Sequence, residues 1–209
     1  MKTCIIIAGG DFDISSVSAE KLKSEAELII CADRGLKYAD EMGLVPDILI
    51  GDFDSYIDEV HFDGEIIRTV PEKDDTDTIM AVRLAISRGV RRIILYGALG
   101  GRFDHSIANI QTLLFASEQG CEMTIADSSD IISLQGEGAA EYPRKEGYYF
   151  SVFALSESVF IKELSGVKYP LENYTMKQSF PIGVSNEITS EKAVLAIKEG
   201  TALIVRSKM

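Results

Sequence analysis

Basic residues are the scarce charge in this chain: 21 Lys and Arg stand against 33 Asp and Glu, a formal net charge of -12. A broad surface for DNA or RNA needs clustered Lys and Arg, so no nucleic-acid partner is expected. A phosphorylated small molecule remains compatible, provided metal ions offset the charge locally. Tryptophan is absent, so any aromatic packing against a ligand falls to Tyr or Phe. Cysteine is sparse: Cys4, Cys31 and Cys121 are far apart, and two of them lie in apolar runs. That fits buried free thiols in a reducing compartment better than a disulfide framework, so the expected location is cytoplasmic. Long hydrophobic runs are missing too. The opening MKTCIIIAGGD has one basic residue and an apolar stretch too short for a signal peptide. No segment approaches the about 20 apolar residues needed to cross a bilayer, and neither export nor a membrane partner is expected.

What is present is enough apolar material, 46% of 209 residues, for one large domain or one large and one small. The first part alternates short Ile/Leu/Val runs at 3–8, 28–32, 48–50, 65–70, 92–96 and 123–126 with helical patterns near 18–24, 36–42, 78–88 and 107–119. Several runs are continuous enough to be buried on both faces of a parallel sheet. The helix at 78–88 is the clearest, with Ile79, Val82 and Ile86 at helical spacing and Gly89 as its stop. After Asp127 the pattern becomes short, alternating and turn-rich, with strand candidates at 148–155, 159–164, 174–178, 193–197 and 201–206. The expected fold is α/β. A Rossmann-like, mostly parallel sheet flanked by helices spans 1–127, and a smaller antiparallel β-sandwich spans 128–209.

Chemistry concentrates where strands end. Gly9-Gly10-Asp11, Asp33-Arg34-Gly35, Gly51-Asp52-Phe53-Asp54-Ser55, Lys73-Asp74-Asp75-Thr76-Asp77 and the glycine-rich 97–104 each follow a predicted strand. Strand carboxyl ends share one edge of an open parallel sheet, so these residues are expected to converge on one crevice. Asp52 and Asp54 are two apart and project to the same side of an extended segment. Grouped hard oxygen donors suit Mg²⁺, which takes one or two carboxylates and completes its octahedron with water and phosphate oxygens. An isolated Asp-x-Asp reads more simply as a polar turn, but a second acidic group, Asp74, Asp75 and Asp77, is expected on the same edge. Helix capping explains one or two of those; three beside Lys73 crowd like charges that a cation relieves. In Gly97-Ala98-Leu99-Gly100-Gly101-Arg102-Phe103-Asp104-His105 the glycines let backbone amides approach phosphate, and Arg102 can fork onto its oxygens. A plain strand-to-helix turn explains the glycines equally well, and His105 is assigned no chemistry.

Together, Ala32-Asp33-Arg34-Gly35, Pro46-Asp47 with Ile50-Gly51-Asp52-Phe53-Asp54-Ser55, Lys73-Asp74-x-Thr76-Asp77 and Gly97-Ala98-x-Gly100-Gly101-Arg102-x-Asp104-His105 resemble the ordered motifs of bacterial thiamine pyrophosphokinases. Gly183-Val184-Ser185-Asn186-Glu187 resembles a later segment of that family. The resemblance spans nearly the whole chain, and it alone supplies the substrate. It implies an N-terminal domain holding Mg-ATP, a C-terminal β-sandwich, and a homodimer with thiamine between subunits. Asp52, Asp54, Asp74 and Asp77 are then the metal and catalytic carboxylates. Asp33, Arg34, Gly35, Lys73, Thr76, Gly100, Gly101, Arg102 and Asp104 serve ATP, while Ser185 and Asn186 shape the thiamine pocket. Asp75 occupies a variable family position and ranks below its neighbours.

The expected reaction is in-line attack of the thiamine hydroxyl on the β-phosphorus of ATP, expelling AMP, with either Asp54 or Asp77 as proton acceptor. Two rivals share the residues. A metal-dependent phosphohydrolase needs no thiamine, and a nucleotide or thiamine sensor needs no turnover.

Overall fold

The computed structural model describes residues 1–51, 62, 64–69 and 75–209. The chain divides into two compact units, Met1–Ser128 and Ser129–Met209. It is mixed α/β, with a large mostly parallel sheet and a separate antiparallel sheet.

In the first unit the strands are β1 (Thr3–Ile7), β2 (Leu28–Ala32), β3 (Ile48–Gly51), β4 (Glu65–Arg68), β5 (Arg92–Tyr96) and β6 (Glu122–Ala126). They lie in the order β4-β3-β2-β1-β5-β6, every neighbouring pair parallel. All residues of β1, β2 and β3 are buried. Parallel strands covered on both faces demand this continuous Ile, Leu and Cys content rather than alternation. β4, at the edge, keeps two Ile among charged residues and is largely exposed.

The helices are α1 (Ala19–Glu25), α2 (Gly35–Glu41), α3 (Asp77–Ser87) and α4 (Phe103–Glu118). Ile5, Ile7, Ile29 and Cys31 form one core with Leu22 of α1 and Leu36 and Ala39 of α2. Alternate strand residues face the opposite side, where α3 packs on β1, β2 and β3, and α4 on β6. Each buried Ile or Leu contributes roughly 1.5–3 kcal/mol against exposure. Ser18 caps α1 by accepting from the Lys21 N–H, and Thr76 caps α3 by accepting from the Ile79 N–H.

The second unit holds β7 (Asp130–Gln135), β8 (Gly138–Pro143), β9 (Ser151–Ala154), β10 (Ser158–Ser165), β11 (Leu171–Lys177), β12 (Lys192–Glu199) and β13 (Ala202–Ser207). β13 pairs antiparallel with β7 and β9, and a four-stranded antiparallel sheet runs β11-β10-β12-β8. Phe150, Val152 and Ile204 share one core with Val159, Ile161, Leu195 and Ile197, so the two groups of strands bury a common face. Inside, Gln135 is fully engaged: it donates to the Leu195 carbonyl at 2.9 Å and accepts from the Tyr142 hydroxyl at 2.8 Å. Burial pushes that phenol up to about 12.

Candidate functional site

The carboxyl ends of β1, β2 and β5 open on one cleft of about 400 Å³, a size typical of small-molecule pockets, roughly 300–1,000 Å³. β2 lies to one side of β1 and β5 to the other, so the chain reverses its winding there, which is where open parallel sheets bind ligands.

The β5 exit is fixed to the β1 exit. Gly97 takes φ 64, and a Cβ there would stand 2.5 Å from the Ala8 carbonyl, so only glycine fits. Three successive carbonyls then find protein donors. The Gly10 N–H donates to Gly97 O at 2.7 Å, Asn109 Nδ2 to Ala98 O at 2.7 Å, and the Asp11 N–H to Leu99 O at 2.8 Å. Trans peptide geometry turns the N–H groups of Ala98, Leu99 and Gly100 away from these partners, and among the described residues none of the three donates a hydrogen bond.

At the start of α4, Arg102 lines the cleft and is met by Asp104, with Nη2 to Oδ2 at 2.5 Å and Nε to Oδ1 at 3.1 Å. The hydrogen bond from Arg102 holds the Asp104 carboxyl below the usual carboxylate range and raises the guanidinium in turn. Asp104 also accepts from the His105 N–H, capping a helix whose N-cap residue, Arg102, offers no side-chain cap.

At the β2 exit Asp33 adopts φ 53, a left-handed conformation few side chains other than Asn and Asp tolerate. Its N–H donates to Ile50 O at 2.8 Å, joining the β2 and β3 exits. Gly35 lets α2 start directly against β1: a Cβ there would lie 2.0 Å from the Ile7 carbonyl. Across the cleft, Thr76 and Asp77 open α3, and Asp77 Oδ1 accepts from the Thr69 hydroxyl at 3.1 Å. Asp75 is engaged instead with the Arg83 guanidinium.

In the second unit Ser185 adopts φ 56 and donates its N–H to Ser151 Oγ at 2.9 Å. Asn186 is buried, and its amide clips Tyr169: Oδ1 accepts from the Tyr169 N–H at 3.0 Å and Nδ2 donates to Tyr169 O at 2.9 Å. The Tyr169 side chain itself is exposed.

Comparison with known proteins gives this geometry a family. A sequence model described as the catalytic domain of thiamin pyrophosphokinase matches residues 19–125, and one described as its vitamin B1 binding domain matches 139–202. The chain belongs to the thiamin pyrophosphokinase family. A thiamine pyrophosphokinase of Bacillus subtilis is 28% identical over 215 residues, covering 99% of both chains. The crystal structure of thiamine pyrophosphokinase from Bacillus subtilis superposes with a TM-score of 0.88 at 26% identity, covering 100% of each chain. That of a family protein from Enterococcus faecalis gives 0.85, also at 26% and full coverage.

In this thiamin pyrophosphokinase family member Asp33, Arg34, Thr76, Asp77, Gly100, Gly101 and Arg102 border the same cleft. Gly35 sits beneath it, and Asp104 reaches it through Arg102. Asp52, Asp54, Lys73 and Asp74 lie outside the described residues. Among the described residues no group of three or more His, Cys, Asp or Glu is close enough to hold a metal ion. The donor chemistry nonetheless suits magnesium, whose sites need only one or two carboxylates, and Asp11, Asp33 and Asp77 all line this cleft. The sequence placed Asp11 among the residues converging on the ligand edge without a specific role, and gave none to Tyr38 or Asn109. A signal existed for Asn109, a polar residue at helical spacing from Leu113 and Ala116 on the buried face of α4; none existed for Tyr38.

Proposed function

We propose that this enzyme transfers the β,γ-diphosphate of ATP to the hydroxyl of thiamine, giving thiamine diphosphate and AMP. The observation that carries the reading is the convergence of Asp33, Arg34, Thr76, Asp77, Gly100, Gly101 and Arg102, drawn from separate loops, on one cleft at the reversal point of a parallel sheet. Residues 1–127, read as a Rossmann-like unit, hold Mg-ATP; residues 128–209, read as a β-sandwich, bind thiamine and form the homodimer. The match of a B1-binding model to 139–202 supports that division.

Asp52, Asp54, Asp74 and Asp77 would hold magnesium, which would supply charge to offset the polyphosphate. The protein positions the reactants. Arg102, oriented by Asp104, presents its guanidinium to phosphate oxygens, and the N–H groups of Ala98 to Gly100 donate to the same oxygens. Asp77, or Asp54, takes the proton from the attacking hydroxyl. Ser185 and Asn186 shape the thiamine pocket, and Asn186 does so by fixing Tyr169. Buried Cys4, Cys31 and Cys121 suit the reducing cytoplasm, where we place the protein. Among the described residues no helix is long and apolar enough to cross a membrane.

Incubation with ATP, Mg²⁺ and thiamine, read by mass spectrometry, tests this. Thiamine diphosphate and AMP are expected. Inorganic phosphate or pyrophosphate released without thiamine, or unchanged ligands, would overturn it.

A further inference from the structure

The loop that carries the phosphate reading is held by three carbonyl contacts, and two of them come from Gly10 and Asp11 in the backbone that follows β1. The third is a side chain. Asn109, in the second turn of α4 and only 7% exposed, donates Nδ2 to the Ala98 carbonyl from eleven positions away at 2.7 Å. It also borders the cleft, alongside Ala98, Gly100 and Arg102. Asparagine is a poor helix former and competes for backbone hydrogen bonds, so its place on the buried face of α4 carries a local cost. What it provides is a rigid strut between two walls of one site, the glycine loop and the helix that Arg102 precedes as N-cap residue. Removing the donor frees the middle carbonyl of the loop while leaving its two flanking anchors, so the loop keeps its course but its peptide planes can rotate.

We propose that Asn109 is a positioning residue for the polyphosphate: by bonding the Ala98 carbonyl it orients the loop amides against the phosphates of the nucleotide. This rests on the ATP reading above. Its distinguishing consequence is that the effect of losing Asn109 scales with the phosphate chain and spares both the nucleoside and thiamine.

The test uses the full chain and two variants. Asn109→Asp keeps the shape and removes the donor; Asn109→Ser removes the reach without adding charge and carries the test if the first does not fold. Calorimetric titration with adenosine, ADP and ATP in the presence of Mg²⁺ is set beside steady-state formation of thiamine diphosphate. The expected result is unchanged adenosine affinity, weaker ADP and still weaker ATP binding, kcat/KM for ATP down by about 100-fold and KM for thiamine unchanged. Equal losses for adenosine and ATP, or ATP parameters equal to those of the unmodified protein, would sink the proposal. A protein that binds ATP but makes no thiamine diphosphate overturns the diphosphate-transfer reading instead, and the nucleotide series still decides the role of Asn109.

Discussion

The phenol of Tyr38 donates a 2.7 Å hydrogen bond to the carbonyl of Gly10, joining α2 to the loop that leaves β1. The same ring packs edge-on against Phe12, centroids 5.6 Å apart, and Phe12 lies 5.2 Å from Tyr96 at the end of β5. Three aromatic side chains therefore pack together beside the loop that leaves β1. Tyr38→Phe keeps the ring contacts and removes only the hydroxyl, so stability should fall by about 1 kcal/mol. The KM for ATP should rise several-fold while that for thiamine stays put; urea midpoints and initial rates read the two effects.

Gly100 and Gly101 separate two costs that usually come together. Both have positive φ, 77 and 60, but a Cβ on Gly100 would lie 2.3 Å from Asp11 Oδ2, whereas one on Gly101 meets nothing within 4 Å. Gly101→Ala should cost only the left-handed penalty, about 1–2 kcal/mol. Gly100→Ala adds displacement of the Asp11 carboxylate and should abolish most activity. Equal stability and activity in the two variants would refute the close approach at Gly100.

Alkaline pH should weaken the fold through its thiols. Burial pushes Cys4 and Cys31 well above the usual thiol range, with the Asp47 carboxylate adding to the shift of Cys4. A raised native value means the unfolded chain loses its protons first. The stabilisation is therefore complete below the unfolded value of about 8.5 and declines as pH climbs above it, by up to about 1.4 kcal/mol per pH unit for each thiol. Cys31→Ala lowers stability at neutral pH through its cavity, yet its denaturation midpoints should fall less steeply between about pH 8.5 and 10.

In the second unit, Asn186→Ala strips the clip from Tyr169 and leaves a backbone N–H and carbonyl without the partners they now have. A loss of about 1–3 kcal/mol is expected. Because Asn186 is proposed to shape the thiamine pocket by fixing Tyr169, KM for thiamine should rise and KM for ATP should not, which initial rates against each substrate resolve.

The sequence pattern exposed the parallel strands because burial on both faces writes itself as unbroken apolar runs; β5, expected at 92–96, is Arg92–Tyr96. It was blind where burial is partial. β7 and β8 drew no notice, the first burying only Ile132 and Gln135 without a clean alternation and the second, Gly-Ala-Ala-Glu-Tyr-Pro, lying at a sheet edge with little to bury. β11 begins at Leu171 rather than 174, because Asn173, at φ 47, disturbs the alternation at its start. α4 begins at Phe103, a turn before the apolar spacing that suggested 107, since its first turn faces the cleft and solvent. The polar motifs were visible because strand ends are. The role of Tyr38 was not, and Asn109 showed only as a polar residue on the apolar face of α4, because each acts on a backbone carbonyl that only the folded chain brings near.

Asp77 offers the sharpest separation of charge from shape. Its Oδ1 accepts from the Thr69 hydroxyl at 3.1 Å, and an asparagine can present its own Oδ1 to the same donor. Asp77→Asn should therefore preserve the start of α3 and its Thr76 cap, leaving thermal stability nearly unchanged. What it removes is a carboxylate at the cleft, proposed above to hold magnesium and, in one assignment, to take the proton of the thiamine hydroxyl. Turnover should drop by at least about 100-fold, and the Mg²⁺ concentration giving half-maximal rate should rise. Asp54→Asn run in parallel distinguishes the base from a carboxylate that only binds metal. The variant whose rate recovers at high Mg²⁺ has lost a ligand, and the one whose rate does not recover has lost the proton acceptor. Near-normal turnover in either variant removes that residue from the mechanism.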